Sequence, residues 1–194
     1  MRDLSFPPDP AAAATVVRQT RQWLERAVIG QNLCPFAKAV YVKDQVRFAV
    51  TGACNADQLL AELEGELLAL VQADPRATDT TLLIHPHALS GFLDFNFFLA
   101  EADAALERLG LAGVVQIAGL HPHFEFADSR PDDIENYTNR SPHPTLHLLR
   151  EDSVSRAVAT TPDAADIFER NKQTLRRLGH EGWHALLRDA GSGD

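Results

Sequence analysis

Two similar stretches, LLIHPHAL and LHPHFEF, each place His-Pro-His directly after an apolar run. The first contains His85 and His87, and the second contains His121 and His123. Imidazole nitrogens bind zinc or iron and also transfer protons near neutral pH. If both apolar runs are strands ending at one edge of a sheet, the four side chains can form a metal site, and a divalent metal is the cofactor that this pattern suggests. The alternative is that each proline ends a strand and that the histidines form local hydrogen bonds.

A second polar stretch, NYTNRSPHPTLHLLRE, runs from Asn136 to Glu151. Ser141 followed by Pro142 is typical of a helix start, so we expect a helix over 141–159 whose free N–H groups favour an anion. The residues expected to bind a small anionic ligand are Asn136, Asn139, Arg140, Ser141 and Arg150. The alternative is that the arginines pair with carboxylates and hold the long loop in place.

Three residues are candidates for catalysis: Cys34, His121 and His147. Cys34 lies in the loop NLCPFA, where a nucleophilic thiolate would need a base or positive charge such as His121 or Arg140 nearby. A small buried cysteine before a turn is the alternative interpretation. The segment HEGWH, from His180 to His184, matches a zinc-protease motif, but the glycines in and before it indicate an accidental match.

The elements that would position these residues follow an α/β order. Apolar periodicity predicts strands at 39–50, 80–84 and 113–118. Helices are predicted over 10–29, 55–73, 90–109, 141–159 and 162–178, with Asp9, Asn55 and Ser90 as caps. The fold class is therefore α/β, a small sheet with helices packed on it, with residues 1–10 as a flexible leader and 11–190 as a single domain. Single-helix connections favour parallel strands, which would place the two His-Pro-His stretches at the same sheet edge.

Composition restricts the classes of function. The 194-residue chain has 18 basic and 27 acidic side chains, and its net charge of -9 disfavours nucleic acid and anionic lipid as partners. Its start has no apolar signal segment, no apolar run has the length of a membrane span, and two cysteines are too few for a disulfide framework. We therefore expect a cytoplasmic protein without a membrane anchor; the sequence leaves its oligomeric state open.

Three motifs together resemble a family of bacterial proteins of unknown function: LCPFA, HPHFEF and NYTNRSPHPTLHLLRE. The resemblance runs from about Val28 to Gly179, and its most specific part is the NYTNRSP to HLLRE run. It implies a domain of about this length but no particular reaction. From the residues, the leading hypothesis is an enzyme that acts on a small anionic metabolite at a Cys/His/Arg site on the sheet edge. The alternatives are a non-catalytic metal-binding protein and a protein-interaction module.

Overall fold

A computed structural model describes residues 6–160 and 166–188 and has the α/β architecture that the sequence predicts. Its regular elements are α1 (Pro10–Trp23), α2 (Ala37–Val42), β1 (Val46–Val50), α3 (Ala56–Gln72), β2 (Thr80–Ile84), α4 (Phe92–Arg108), β3 (Val115–Leu120), β4 (Thr145–Arg150), α5 (Glu151–Ala159) and α6 (Ile167–Leu187). A π-helical turn, Leu24–Ile29, continues α1, and a 3-10 helix, Ile134–Asn139, precedes β4. None of the described helices is long and apolar enough to cross a membrane.

Two predicted helix caps are confirmed. The Asp9 carboxylate accepts the N–H of Ala12 at 2.8 Å, and the Asn55 side chain accepts the N–H of Gln58 at 2.9 Å. Each satisfies an N–H that has no partner within the helix. At α4 the cap position is Gly91 rather than the predicted Ser90, and no side chain caps this helix.

The sheet has four strands in the order β1-β2-β4-β3. β1 and β2 are parallel neighbours, as their single-helix connection predicts. β4 is antiparallel to both of its neighbours and separates β2 from β3. Because β2 and β3 run in the same direction, His85 and His121 follow strands that end at the same sheet edge, but those strands are not adjacent.

The two faces of the sheet bury different layers. One face packs Leu83, Leu146 and Leu148 against leucines and phenylalanines of α3 and α4. The other face carries Leu82 and Ile84 under α1. A further cluster contains residues of the π-helical turn and of α6, with Phe48 and Leu120 packed against it. β2 is therefore buried on both faces, which explains its continuous apolar sequence.

The prediction of a helix over 141–159 is wrong in its first half, because 145–150 form β4. A residue that precedes a proline rarely adopts helical backbone, so Pro142 and Pro144 disfavour a helix at Ser141 and His143, and residues 141–144 are irregular. Alternation of Leu146, His147 and Leu148 then matches the two faces of a strand.

Two other predicted elements have different bounds in the structure. Only the second half of 39–50 is a strand, since 37–42 form α2 against the π-helical turn. α6 extends to Leu187 rather than 178, although Gly179 breaks its helical geometry with a φ of 66°. The predicted start of that helix at 162 lies outside the described residues.

The predicted leader, 1–10, lies partly outside the described residues. Within it, the Phe6 carbonyl accepts the N–H of Gly52 at 2.6 Å, and Pro10 begins α1. The single-domain interpretation of 11–190 stays a prediction.

Candidate functional site

His121 is a buried neutral imidazole with both ring nitrogens in use. Its Nδ1 accepts the backbone N–H of His123 at 3.0 Å, so the proton must be on Nε2, which donates to the Leu89 carbonyl at 3.2 Å. Its ring packs against Phe92 and Phe95, and burial lowers its pKa. An acid–base or ligand role for His121 would therefore require one of these hydrogen bonds to break.

His85 is also buried, and it packs against Phe95, which His121 contacts as well. Its Nδ1 donates to the Ala88 carbonyl at 3.0 Å, which leaves an unpaired acceptor at Nε2, buried and without a hydrogen-bond partner. The ring stacks on Phe95 with centroids 5.8 Å apart. Burial lowers the pKa of His85 to about 4, so the ring is neutral at physiological pH.

The four histidines of the two repeated stretches do not form the expected metal site. His85 and His121 point into the core, whereas His87 and His123 are exposed. Within residues 6–160 and 166–188, no group of three or more His, Cys, Asp or Glu side chains could hold a metal ion. The same finding covers the HEGWH segment, where His180 contacts Tyr137 and His184 is exposed.

Ser141 does not begin a helix: residues 141–144 are irregular and lead into β4, so no helix N-terminus is available there to bind an anion. The Ser141 hydroxyl instead donates to the carbonyl of His143 at 2.6 Å. Asn139 contributes a backbone carbonyl, which accepts the N–H of His121 at 3.2 Å.

Arg140 holds the preceding loop through backbone carbonyls rather than through carboxylates. Its Nε donates to the Phe124 carbonyl at 3.1 Å, and its Nη2 donates to the Pro131 carbonyl at 2.7 Å. The guanidinium also stacks over the ring of Tyr137, 4.3 Å from its centroid. These contacts are those of a loop clamp.

Asn136 supports the same loop from inside. Its buried amide oxygen accepts the N–H of Phe126 at 3.1 Å and the hydroxyl of Ser129 at 2.6 Å. Its amide nitrogen donates to the Arg130 carbonyl at 2.7 Å. These three hydrogen bonds within the chain satisfy the buried amide of Asn136, so its burial is explained without a bound ligand.

Arg150 lies at the end of β4 and caps α3. It donates to carbonyls of the last turn, including Ala73 at 2.9 Å, and to the Thr78 carbonyl at 3.3 Å. A cation at a helix C-terminus is favoured by the helix dipole. Arg150 therefore connects the sheet to α3 and is not placed beside Arg140.

His147 faces the α1 side of β4, next to Thr80. The Thr80 hydroxyl donates to the Leu148 carbonyl at 2.6 Å, so it can only accept from His147 Nε2, at 2.8 Å. Nδ1 is then the unprotonated nitrogen and has no partner among the described residues. Burial lowers the pKa of His147 to about 4, which keeps the ring neutral.

Cys34 packs beside the cluster that contains Trp23 and Leu175. Burial raises the pKa of its thiol, and the backbone N–H groups of Phe36 and Ala37 offset only part of this. A raised pKa disfavours the thiolate that nucleophilic catalysis needs.

A pocket that the sequence did not indicate lies at the sheet edge where β1 and β2 end, between these strand ends and the start of α1. It has a volume of about 480 Å³ and is lined by Ala12, Val16, Val50, Pro86, His87 and His143, among others. We call it the histidine pocket. His143 Nε2 donates to the Gln19 side-chain oxygen at 2.7 Å, and burial, then the charge of His87, lowers the pKa of His143. Its position outside the carboxyl ends of strands is where open α/β sheets usually bind ligands.

The open mixed sheet with helices on both faces defines an α/β protein with a pocket at the sheet edge that is lined by two histidines. The chain belongs to DUF1415, a family of proteins of unknown function. The sequence model of this family matches residues 15–185. Searches among curated proteins and among solved structures found no match to the chain.

Proposed function

We propose that the protein is an enzyme that acts on a small, largely apolar organic acid bound in the histidine pocket. The observation that carries the proposal is the pocket itself: about 480 Å³, at the carboxyl ends of β1 and β2, with His87 and His143 beside apolar side chains. Small-molecule sites are typically apolar clefts of about 300–1,000 Å³ with a few convergent polar groups.

His143 is the residue that we propose for proton transfer. The Nε2 proton of His143 is donated to Gln19, so the unprotonated Nδ1 of the neutral ring carries a lone pair. Nδ1 has no hydrogen-bond partner in the described part of the chain. That nitrogen can take the proton of an acid and return it during a reaction. The expected nucleophile Cys34 and base His121 are not used in this proposal, because burial disfavours the thiolate and both His121 nitrogens are bonded.

Binding of a carboxylate beside His87 and His143 should be coupled to proton uptake. In the free protein, burial and the neighbouring charge lower the pKa of His143, whereas a bound carboxylate would raise it. Affinity should therefore fall as pH rises through the bound-state pKa, by at most about tenfold per pH unit for each proton.

The test is a calorimetric titration of hexanoate at about pH 6 and about pH 8, in the wild type and in two variants. We expect tighter binding at the lower pH and loss of this pH dependence in His143→Gln. His184→Gln, an exposed histidine on α6 far along the chain, is the matched control and should behave as the wild type. Equal hexanoate affinity at both pH values, or equal loss in both variants, would contradict the proposal.

A further inference from the structure

The outer face of α1 and of the π-helical turn carries three arginines that form no ion pair with any described residue: Arg18, Arg21 and Arg26. The ion pairs of the described residues involve other cations, namely Arg47, Arg76, Arg108, Lys172 and Arg176. In a chain with a net charge of -9, carboxylates are abundant, yet within residues 6–160 and 166–188 none forms an ion pair with these three guanidinium groups. The guanidinium groups on this face are therefore available to bind an anionic ligand.

The three arginines line a second pocket of about 450 Å³, together with Gln22 and Glu25. We call it the arginine pocket. Arg18 and Gln22 are one turn apart and share a face of α1. The π-helical turn is visible in the bond from Gly30 N–H to the Glu25 carbonyl, 2.9 Å. Because such a turn takes more residues per rotation than an α-helix, Arg26 stays closer to the face of Gln22 than α-helical geometry would place it.

Two of the guanidinium groups are held in place by the protein. The Arg21 guanidinium lies over the ring of Phe48, 4.2 Å from its centroid, and donates a hydrogen bond to the Tyr41 hydroxyl, which leaves its other N–H donors for a ligand. Arg26 uses Nη1 to donate to the carbonyls of Leu186 and Arg188, at 3.2 and 2.7 Å, and keeps Nη2 and Nε. Fixed donors lose less conformational freedom on binding, so this arrangement favours an anion.

Acceptors lie beside these donors. Gln22 donates through Nε2 to the Leu187 carbonyl at 3.1 Å, so its amide oxygen remains available. One oxygen of the Glu25 carboxylate accepts the Tyr41 hydroxyl, and the other has no partner among the described residues. A ligand that brings only negative charge would be repelled by Glu25, whereas hydroxyl groups would donate to both acceptors.

We infer that the arginine pocket binds a small phosphate monoester that also carries hydroxyl groups. Arg18, Arg21 and Arg26 contact the phosphate oxygens through charge-assisted hydrogen bonds, and Gln22 and Glu25 accept from the hydroxyl groups. The site is separate from the histidine pocket and does not depend on the function proposed there. The acidic surface elsewhere disfavours an extended polyanion such as nucleic acid.

The probes are glycerol 3-phosphate, inorganic phosphate and glycerol, titrated into the isotopically labelled full chain and followed by amide chemical shifts. We expect glycerol 3-phosphate to shift the amides of residues 14–26 with a Kd of about 1 mM or tighter, inorganic phosphate to bind more weakly, and glycerol not to bind. Affinity for the ester should fall as sodium chloride increases from about 25 to about 150 mM.

Arg18→Gln and Arg177→Gln form a matched pair of variants. Each arginine is exposed on a helix, and each makes one described hydrogen bond, from Nη2 to a threonine hydroxyl three residues earlier at 3.3 Å. Arg18→Gln should weaken glycerol 3-phosphate binding about tenfold, and Arg177→Gln should not change it. The inference is overturned if the ester shifts no amide of residues 14–26, if both variants weaken binding equally, or if inorganic phosphate binds as tightly as the ester.

Discussion

Replacing Arg140 should cost folding stability, because its guanidinium holds a loop through two carbonyls. The bonds to Phe124 and Pro131 measure 3.1 and 2.7 Å, and the group also stacks on Tyr137. Hydrogen bonds from charged groups contribute about 1.5–3 kcal/mol each, and partial exposure reduces this. We therefore expect Arg140→Ala to lower the free energy of unfolding by about 2–3 kcal/mol.

That loss corresponds to a melting temperature lower by about 4–12 °C in a domain of this size. Arg140→Lys should lose less, about 1 kcal/mol, because an ammonium keeps the charge but cannot reach both carbonyls as a planar fork.

Urea unfolding followed by circular dichroism measures the effect, with Arg177→Ala as the control. That exposed arginine has one hydrogen bond, to Thr174, so its removal should change stability by less than about 0.5 kcal/mol. Equal midpoints for Arg140→Ala and the wild type would refute the clamp. A rise in melting temperature with added sulfate that is abolished by Arg140→Lys would instead support the anion role that the sequence suggested.

Two further outcomes follow from burial. Burial lowers the pKa of His85 and of His147 to about 4. At pH values between the ordinary histidine pKa and about 4, both side chains are protonated in the unfolded chain and neutral in the native protein. The free energy of unfolding therefore falls as pH falls, by up to about 2.7 kcal/mol per pH unit for the two histidines together. His147→Gln should take up about one proton fewer on unfolding near pH 5, measured by calorimetry in buffers of different ionisation enthalpy; unchanged uptake would show that His147 is protonated in the native state. A thiol reagent should label exposed Cys54 first in the native protein, because burial raises the pKa of Cys34; faster labelling of Cys34, detected by peptide mass, would restore it as a nucleophile.

Local signals in the sequence determined most of the elements. Asp9 before Pro10 and Asn55 before a leucine-rich segment predicted helix starts, because a cap side chain acts on N–H groups two or three residues away. The apolar run Thr80–Ile84 predicted a strand, and the structure shows that this strand is buried on both faces. The order of helices and strands then gave the α/β class, and the direction of β2 and β3 placed the two His-Pro-His stretches at one edge.

The tertiary structure alone decided how β4 and the arginines are used. TLHLLR has both helical and strand-like features, and its pairing with β2 and β3 selects the strand. Arg140 and Arg150 look like anion-binding residues in sequence, yet their partners are carbonyls that the sequence pattern does not reveal. A carbonyl is present at every residue, so only the fold determines which one an arginine reaches.

The pockets, too, depend on contacts between distant parts of the chain. Gln19 and His143 are 124 positions apart, and their hydrogen bond forms only because α1 packs over the ends of β1 and β2. Arg26 is likewise fixed by carbonyls at the end of α6. Sequence spacing determines which side chains share a face of one element, because that relation is local and periodic. Which faces meet, and which nitrogens remain unpaired after they meet, is determined by packing of the whole chain.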